Sequence, residues 1–241
     1  MKALIYKEFK LAMHPICYVF IFAFPLMILI PSYPLAVGFI YVLSCYPILF
    51  LGANKGQQSN DLLFSTLLPV RKKDIVMARM ITIMVMHFVF AAMCALLAPV
   101  SAVIRANIVV ENTEATQNLG VAAQNSGFPI TGFVTVLAFV LIGYAVADLI
   151  FFPIYYKHGK SIVASTLLTM LGFVFYLGIF TVALPLILDR FDTTRWLFNL
   201  FSSMETIWVQ FIFLTVALLI YAGLHILVYK ISAKRLEKVD F

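Results

Sequence analysis

Residues 80–104 read MITIMVMHFVFAAMCALLAPVSAVI, with no Asp, Glu, Lys or Arg between Arg79 and Arg105. A helix crosses a hydrocarbon layer about 30 Å thick with roughly 20 apolar residues, each rising ~1.5 Å. This stretch exceeds that length, so it can tilt or let its terminal arginines snorkel. A soluble fold would need a polar shell around such a helix, and the chain cannot supply one. Its 241 residues are 63% apolar and 12% charged, against about 45–50% and 25% in soluble domains. These figures exclude a disordered chain, a nucleic-acid-binding basic domain and a typical soluble enzyme. The outside of this protein is predicted to be lipid.

Outward from this stretch, five further runs reach or approach spanning length. The expected architecture is all-α: a single polytopic domain with spans at about 16–31, 35–52, 76–104, 128–152, 161–188 and 206–229. Pro31-Ser32-Tyr33-Pro34 turns the first two into a hairpin. A division into five or seven spans leaves a poorer charge pattern. With the N-terminus in the cytoplasm, 14 of the 17 basic residues fall inside, and only Arg105, Arg190 and Arg195 fall outside. That asymmetry predicts two cytoplasmic termini, with 230–241 as a cytoplasmic tail. The net charge of +6 is therefore a membrane-surface charge and not a groove for nucleic acid.

Residues 1–15 fit an interfacial helix. Ile5, Phe9, Ala12 and Met13 share one face, Lys7 and Lys10 fall towards the other, and Pro15 ends it. A plain basic leader is the other reading. Between the second and third spans the loop is richer than a simple reversal requires. Ser59-Asn60-Asp61 is an N-cap cluster, followed by Leu62, Leu63, Phe64, Ser65, Thr66, Leu67, Leu68 and Pro69. Leu63, Phe64, Leu67 and Leu68 form one apolar stripe over two turns, and Arg71, Lys72, Lys73 and Asp74 follow. A short amphipathic helix at the cytoplasmic surface is predicted, resting on lipid or seated in a partner's groove. The second cytoplasmic loop, Pro153 to Ser161, is expected to make a tight turn at Gly159. Gly159-Lys160-Ser161 lacks the upstream glycine of a phosphate-binding loop, which here is Ile154.

No catalytic or metal-ligand spacing is present. His14, His87, His158 and His225 lie on separate segments, and no HExxH occurs. Cys17, Cys45 and Cys94 sit in apolar runs and read as small buried hydrophobes. Two intramembrane polar positions stand out. Asp148 is expected to pair with a basic residue at the cytoplasmic rim, to stay protonated and hydrogen-bonded, or to bind a substrate cation. His87, deep in the third span, is expected to hydrogen-bond between helices or to serve a substrate or proton.

Leu67 to Arg79 (LLPVRKKDIVMAR) resembles the leucine–proline–basic stretch of type-2 ATP-binding-cassette exporter permeases. Pro153 to Lys160 (PIYYKHGK) resembles the second cytoplasmic turn of a compact bacterial branch of that family. The resemblance implies a permease in the bacterial plasma membrane, with no catalytic site and no cofactor of its own. ATP and Mg would be bound by a separate ATPase subunit, and a second permease copy would complete the path. Residues 59–70 would be the main coupling helix, with Asp61, Leu62, Leu63, Phe64, Leu67, Leu68, Pro69, Arg71, Lys72 and Lys73 as the coupling residues. Tyr155, Tyr156, Lys157, His158, Gly159 and Lys160 would be the second contact. The implied cargo is an amphipathic peptide or drug. Two other classes fit the residues: a self-contained secondary transporter, and a membrane sensor or scaffold without transport.

Overall fold

A computed structural model describes residues 2–12, 15–26, 29, 65, 67–111, 133–158, 162–179 and 207–238. All regular structure among them is helical. Helix α1 (Lys2–Lys7) widens into a π-helical stretch, Glu8–Ala12, and is followed by α2 (Pro15–Leu26). The long helices are α3 (Lys72–Glu111), α4 (Phe133–His158) and α6 (Ile207–Glu237), with the shorter α5 (Ile162–Gly178) between the last two. Three segments are long and apolar enough to cross a membrane: Lys72–Leu97, Leu137–Lys157 and Trp208–Glu237. The expected span at 35–52 lies outside the described residues, as do the Pro31–Pro34 turn and most of the predicted coupling helix.

Helix α3 begins just after Pro69, where the Val70 amide donates to the Leu68 carbonyl at 2.7 Å and tightens the approach. Asp74 in its first turn complements the positive helix end. With 40 residues it is about 60 Å long, twice a hydrocarbon core. The helix therefore continues past the expected span end at residue 104, through Arg105 to Glu111. Polarity marks where the apolar layer ends, but a helix whose backbone bonds are satisfied need not stop there.

Helix α4 is the hub. It packs most extensively on α6, then on α5, while α3 lies against α6 and α2. Gly143, Ala145 and Ala147 keep its surface low, so its neighbours approach closely. A Cβ on Gly143 would lie 2.8 Å from Phe173 Cε2 of α5. The core is largely aromatic: Tyr144, Phe151, Phe152, Tyr155, Tyr156, Phe173 and Tyr221 are all buried.

Side-chain polarity is inverted relative to a soluble bundle. On α5, Ser165, Thr169, Phe173 and Tyr176 face inwards, while Val163, Leu167, Leu171, Val174 and Phe175 are exposed. On α6, Gln210, Tyr221, His225 and Ser232 are buried, while Trp208, Phe211, Ile212, Leu219 and Ile226 are exposed. Water does not drive such an arrangement, but lipid does. Several hydroxyls bond the carbonyl one turn back, as Thr169 does to Ser165 at 2.7 Å, which keeps them satisfied without solvent.

Three expectations about boundaries and faces are corrected. The stretch from Pro153 to His158 is not loop, since α4 continues through it. Phe151 stacks on Tyr155 and Phe152 on Tyr156, and Arg235 donates to the Pro153 carbonyl at 2.6 Å. These contacts hold the helix together on both sides of the proline. The expected tail at 230–241 is helical and packed as far as Glu237, since α6 extends there with Leu236 fully buried. Near the N-terminus, Leu4 and Glu8 are the buried positions. Ile5 and Phe9 are only half-buried; the side chains of Ala12 and Met13 lie outside those described. The change of helical pitch at Glu8 breaks the 3.6-residue pattern on which the expected face rested.

Candidate functional site

Two buried polar clusters hold the helices together. The first lies where α1 meets α3. Arg79 Nε donates to Glu8 Oε2 at 2.9 Å, and its Nη2 donates to Oε1 at 3.3 Å, a forked pairing. Lys7 donates to the same carboxylate at 3.4 Å and also to Ser65 Oγ. Arg79 Nη1 reaches the Tyr155 hydroxyl at 3.5 Å. Arg79 is therefore not a snorkelling arginine: its side chain is 1% exposed, and Glu8 supplies the countercharge that snorkelling would have found in water.

The second cluster lies deeper, between α3, α4 and α6. Helix α4 presents Tyr144 and Asp148 one turn apart, and α6 presents Tyr221 and His225 at the same spacing. His87 enters from α3. His225 Nε2 lies 2.7 Å from Asp148 Oδ2, and its Nδ1 lies 2.8 Å from the Tyr221 carbonyl. A carbonyl has no proton to give, so Nδ1 carries the hydrogen. The close Nε2–Oδ2 contact then needs one shared proton, held as imidazolium–carboxylate or as imidazole–carboxylic acid. His87 Nδ1 is 3.1 Å from the Tyr221 hydroxyl and 3.9 Å from Asp148 Oδ2. The Tyr144 ring stacks on His87 with centroids 4.3 Å apart. Asp148 is fully buried, and its Oδ1 accepts no hydrogen bond from the described residues.

The partner of Asp148 is thus His225, inside the bundle, and not a basic residue at the rim. Sequence reading places His87 and Asp148 in spans but leaves His225 aside as one of four scattered histidines. The available signal was spacing. Tyr144 to Asp148 and Tyr221 to His225 are both i, i+4 pairs, each of which puts two polar groups on one face of an otherwise apolar helix.

Of the predicted coupling segment, Asp61, Leu62, Leu63 and Phe64 lie outside the described residues. Leu67 is 76% exposed, Pro69 and Arg71 are exposed, and Leu68 and Lys73 are half-buried. Lys72 donates to the Glu237 carbonyl at 3.5 Å. In the second predicted contact, Tyr155 and Tyr156 are buried in α4 and so unavailable to a partner, whereas Lys157 is exposed. Gly159, Lys160 and the side chain of His158 lie outside the described residues. Comparison with protein-family models, with curated proteins and with solved structures returns no match.

Proposed function

We propose that this chain is the permease subunit of an ATP-driven exporter of the type-2 ATP-binding-cassette class. In this reading it crosses a bacterial plasma membrane six times, with both termini cytoplasmic. It pairs with a second permease copy and is driven by a separate ATPase subunit that holds ATP and Mg. Its cargo is an amphipathic peptide or drug, in keeping with spans rich in Phe, Tyr and Met and poor in charge. The observation that carries the reading is the base of α3. An exposed Leu67, then Pro69 and Arg71, sits at the root of the longest helix. Lys72 there meets the end of α6, and Arg79, two turns on, meets Glu8 and Tyr155. A push on that base would reach α1, α4 and α6 together, as a coupling element requires. Leu67→Asp and Phe64→Asp are expected to abolish copurification of an ATPase while leaving membrane insertion intact. Survival of the complex in either variant overturns the assignment.

A second reading, a cation-coupled secondary transporter, is favoured by the His87–Asp148–His225 cluster, since buried ionisable groups near mid-span mark ion paths. The same purification separates the two: a wild-type chain that copurifies with no ATPase leaves the second reading standing.

A further inference from the structure

We infer that His87, Asp148 and His225 form a binding site for one divalent first-row transition-metal ion, with Zn2+ as its representative. The inference rests on the geometry of the cluster and on neither reading of transport. The ligand atoms of the three residues lie within 4.8 Å of one another, and all three residues are buried. A tetrahedral Zn2+ with bonds of about 2.0–2.1 Å sets neighbouring ligand atoms about 3.3 Å apart. The separations found, 2.7 Å from His225 to Asp148 and 3.9 Å from His87 to Asp148, lie on either side of that value. The third separation, between His87 and His225, is at most 4.8 Å, so the side chains draw together around the ion.

Three further observations separate a metal site from a simple buried ion pair. His225 donates Nδ1–H to a backbone carbonyl, which turns the Nε2 lone pair into the cluster, the usual outer support of a metal-bound imidazole. His87 adds a second imidazole from a third helix, its Nδ1 3.9 Å from the same carboxylate and 3.1 Å from the Tyr221 hydroxyl. Asp148 Oδ1 is a buried acceptor lacking a hydrogen bond among the described residues, a cost that a cation on the carboxylate removes. Two imidazoles and one carboxylate suit Zn2+ and its first-row neighbours and do not suit Mg2+ or Ca2+. The Tyr221 hydroxyl, 3.1 Å from His87 Nδ1, stands beside these three as a fourth ligand atom, an oxygen. Charge and atoms balance if the ion replaces the proton shared by Nε2 and Oδ2, which leaves to solvent.

The test uses the full chain, purified in detergent on a tag without histidine, stripped with chelator and dialysed against Zn2+ or Co2+. Elemental analysis is expected to find one Zn2+ per chain. Co2+ is expected to give the intense visible absorption of a four-coordinate site, abolished by added Zn2+. Asp148→Asn and His225→Gln are expected to weaken binding by about ten-fold or more, while Thr215→Val, on the exposed face of α6, leaves it unchanged. If those two cluster variants fail to fold, X-ray absorption on the wild-type Co2+ form decides, with two imidazoles in the first coordination sphere expected. Wild-type chain with no bound metal, binding unaltered in folded Asp148→Asn, or a coordination sphere without imidazole overturns the inference.

Discussion

Arg79 carries a permanent charge into an interior built from Phe, Tyr, Ile and Val, and one carboxylate answers it. Breaking a buried pair from one side costs about 3–5 kcal/mol, because the remaining charge stays buried without compensation. Glu8→Ala is therefore expected to lower the unfolding midpoint sharply in detergent, by a loss within that range. The double variant Glu8→Met with Arg79→Leu should recover most of it, since two apolar groups need no partner. A mild Glu8→Ala phenotype would show that Arg79 reaches water or lipid headgroups by another route. At this scale little was legible in advance. The sequence shows an arginine at the edge of an apolar run and a glutamate in a basic leader 71 positions away; only tertiary structure joins them. His225 was hidden in the same way. A lone histidine in an apolar helix reads as helix packing until the aspartate that meets it is known. Asp148 and His87 were legible because a polar group at that depth demands a partner whatever the partner is.

Elements were easier to read than residues, and their ends were the weak point. The apolar runs locate α3, α4, α5 and α6, because only continuous helix satisfies every backbone group away from water. What the runs do not mark is where each helix stops. Pro153 and Arg105 look like boundaries, yet α4 and α3 pass through both, the first supported by stacked aromatics and by Arg235. How closely two elements approach is set by single glycines. Gly143 faces Phe173, whose ring packs against Tyr176 with centroids 5.9 Å apart. The Tyr176 hydroxyl in turn donates to the Phe139 carbonyl at 2.9 Å. The ring edge therefore has nowhere to retreat, and Gly143→Ala is expected to destabilise by about 1–3 kcal/mol through overpacking of α4 on α5. The matched control is Gly223→Ala on α6, where an added Cβ meets nothing within 4 Å. That change should be neutral or stabilising by up to about 1 kcal/mol, as glycine is a poor helix former. Equal thermal midpoints for the two variants would rule out the close approach of α5.

Across the whole molecule, two independent patterns point to a bilayer. Polar side chains are inside and large apolar ones outside on α5 and α6, and the basic ends of three long helices are brought together. Lys72 at the start of α3 meets Glu237 at the end of α6, and Arg235 meets Pro153 near the end of α4. Helix α3 thus runs opposite to α4 and α6, which are parallel to each other. Parallel neighbours in a membrane require an odd number of crossings between them, and the apolar 17-residue α5 lies between α4 and α6 in the chain. The charge asymmetry seen in sequence needs the same arrangement, because Arg71, Lys72, Lys73, Lys157, Lys234 and Lys238 can lie on one side only if those helix ends do. Single cysteines at Arg71, Lys157 and Lys238, all exposed, introduced after the native cysteines are replaced, are therefore expected to react with a membrane-impermeant maleimide from the same side. In intact cells they should be protected, and in inverted vesicles they should be labelled. Labelling of Lys157→Cys alone from the opposite face would mean that α4 and α6 are not parallel. The His225–Asp148 contact and the metal site built on it would then lose their frame, since both depend on those two helices running side by side in register.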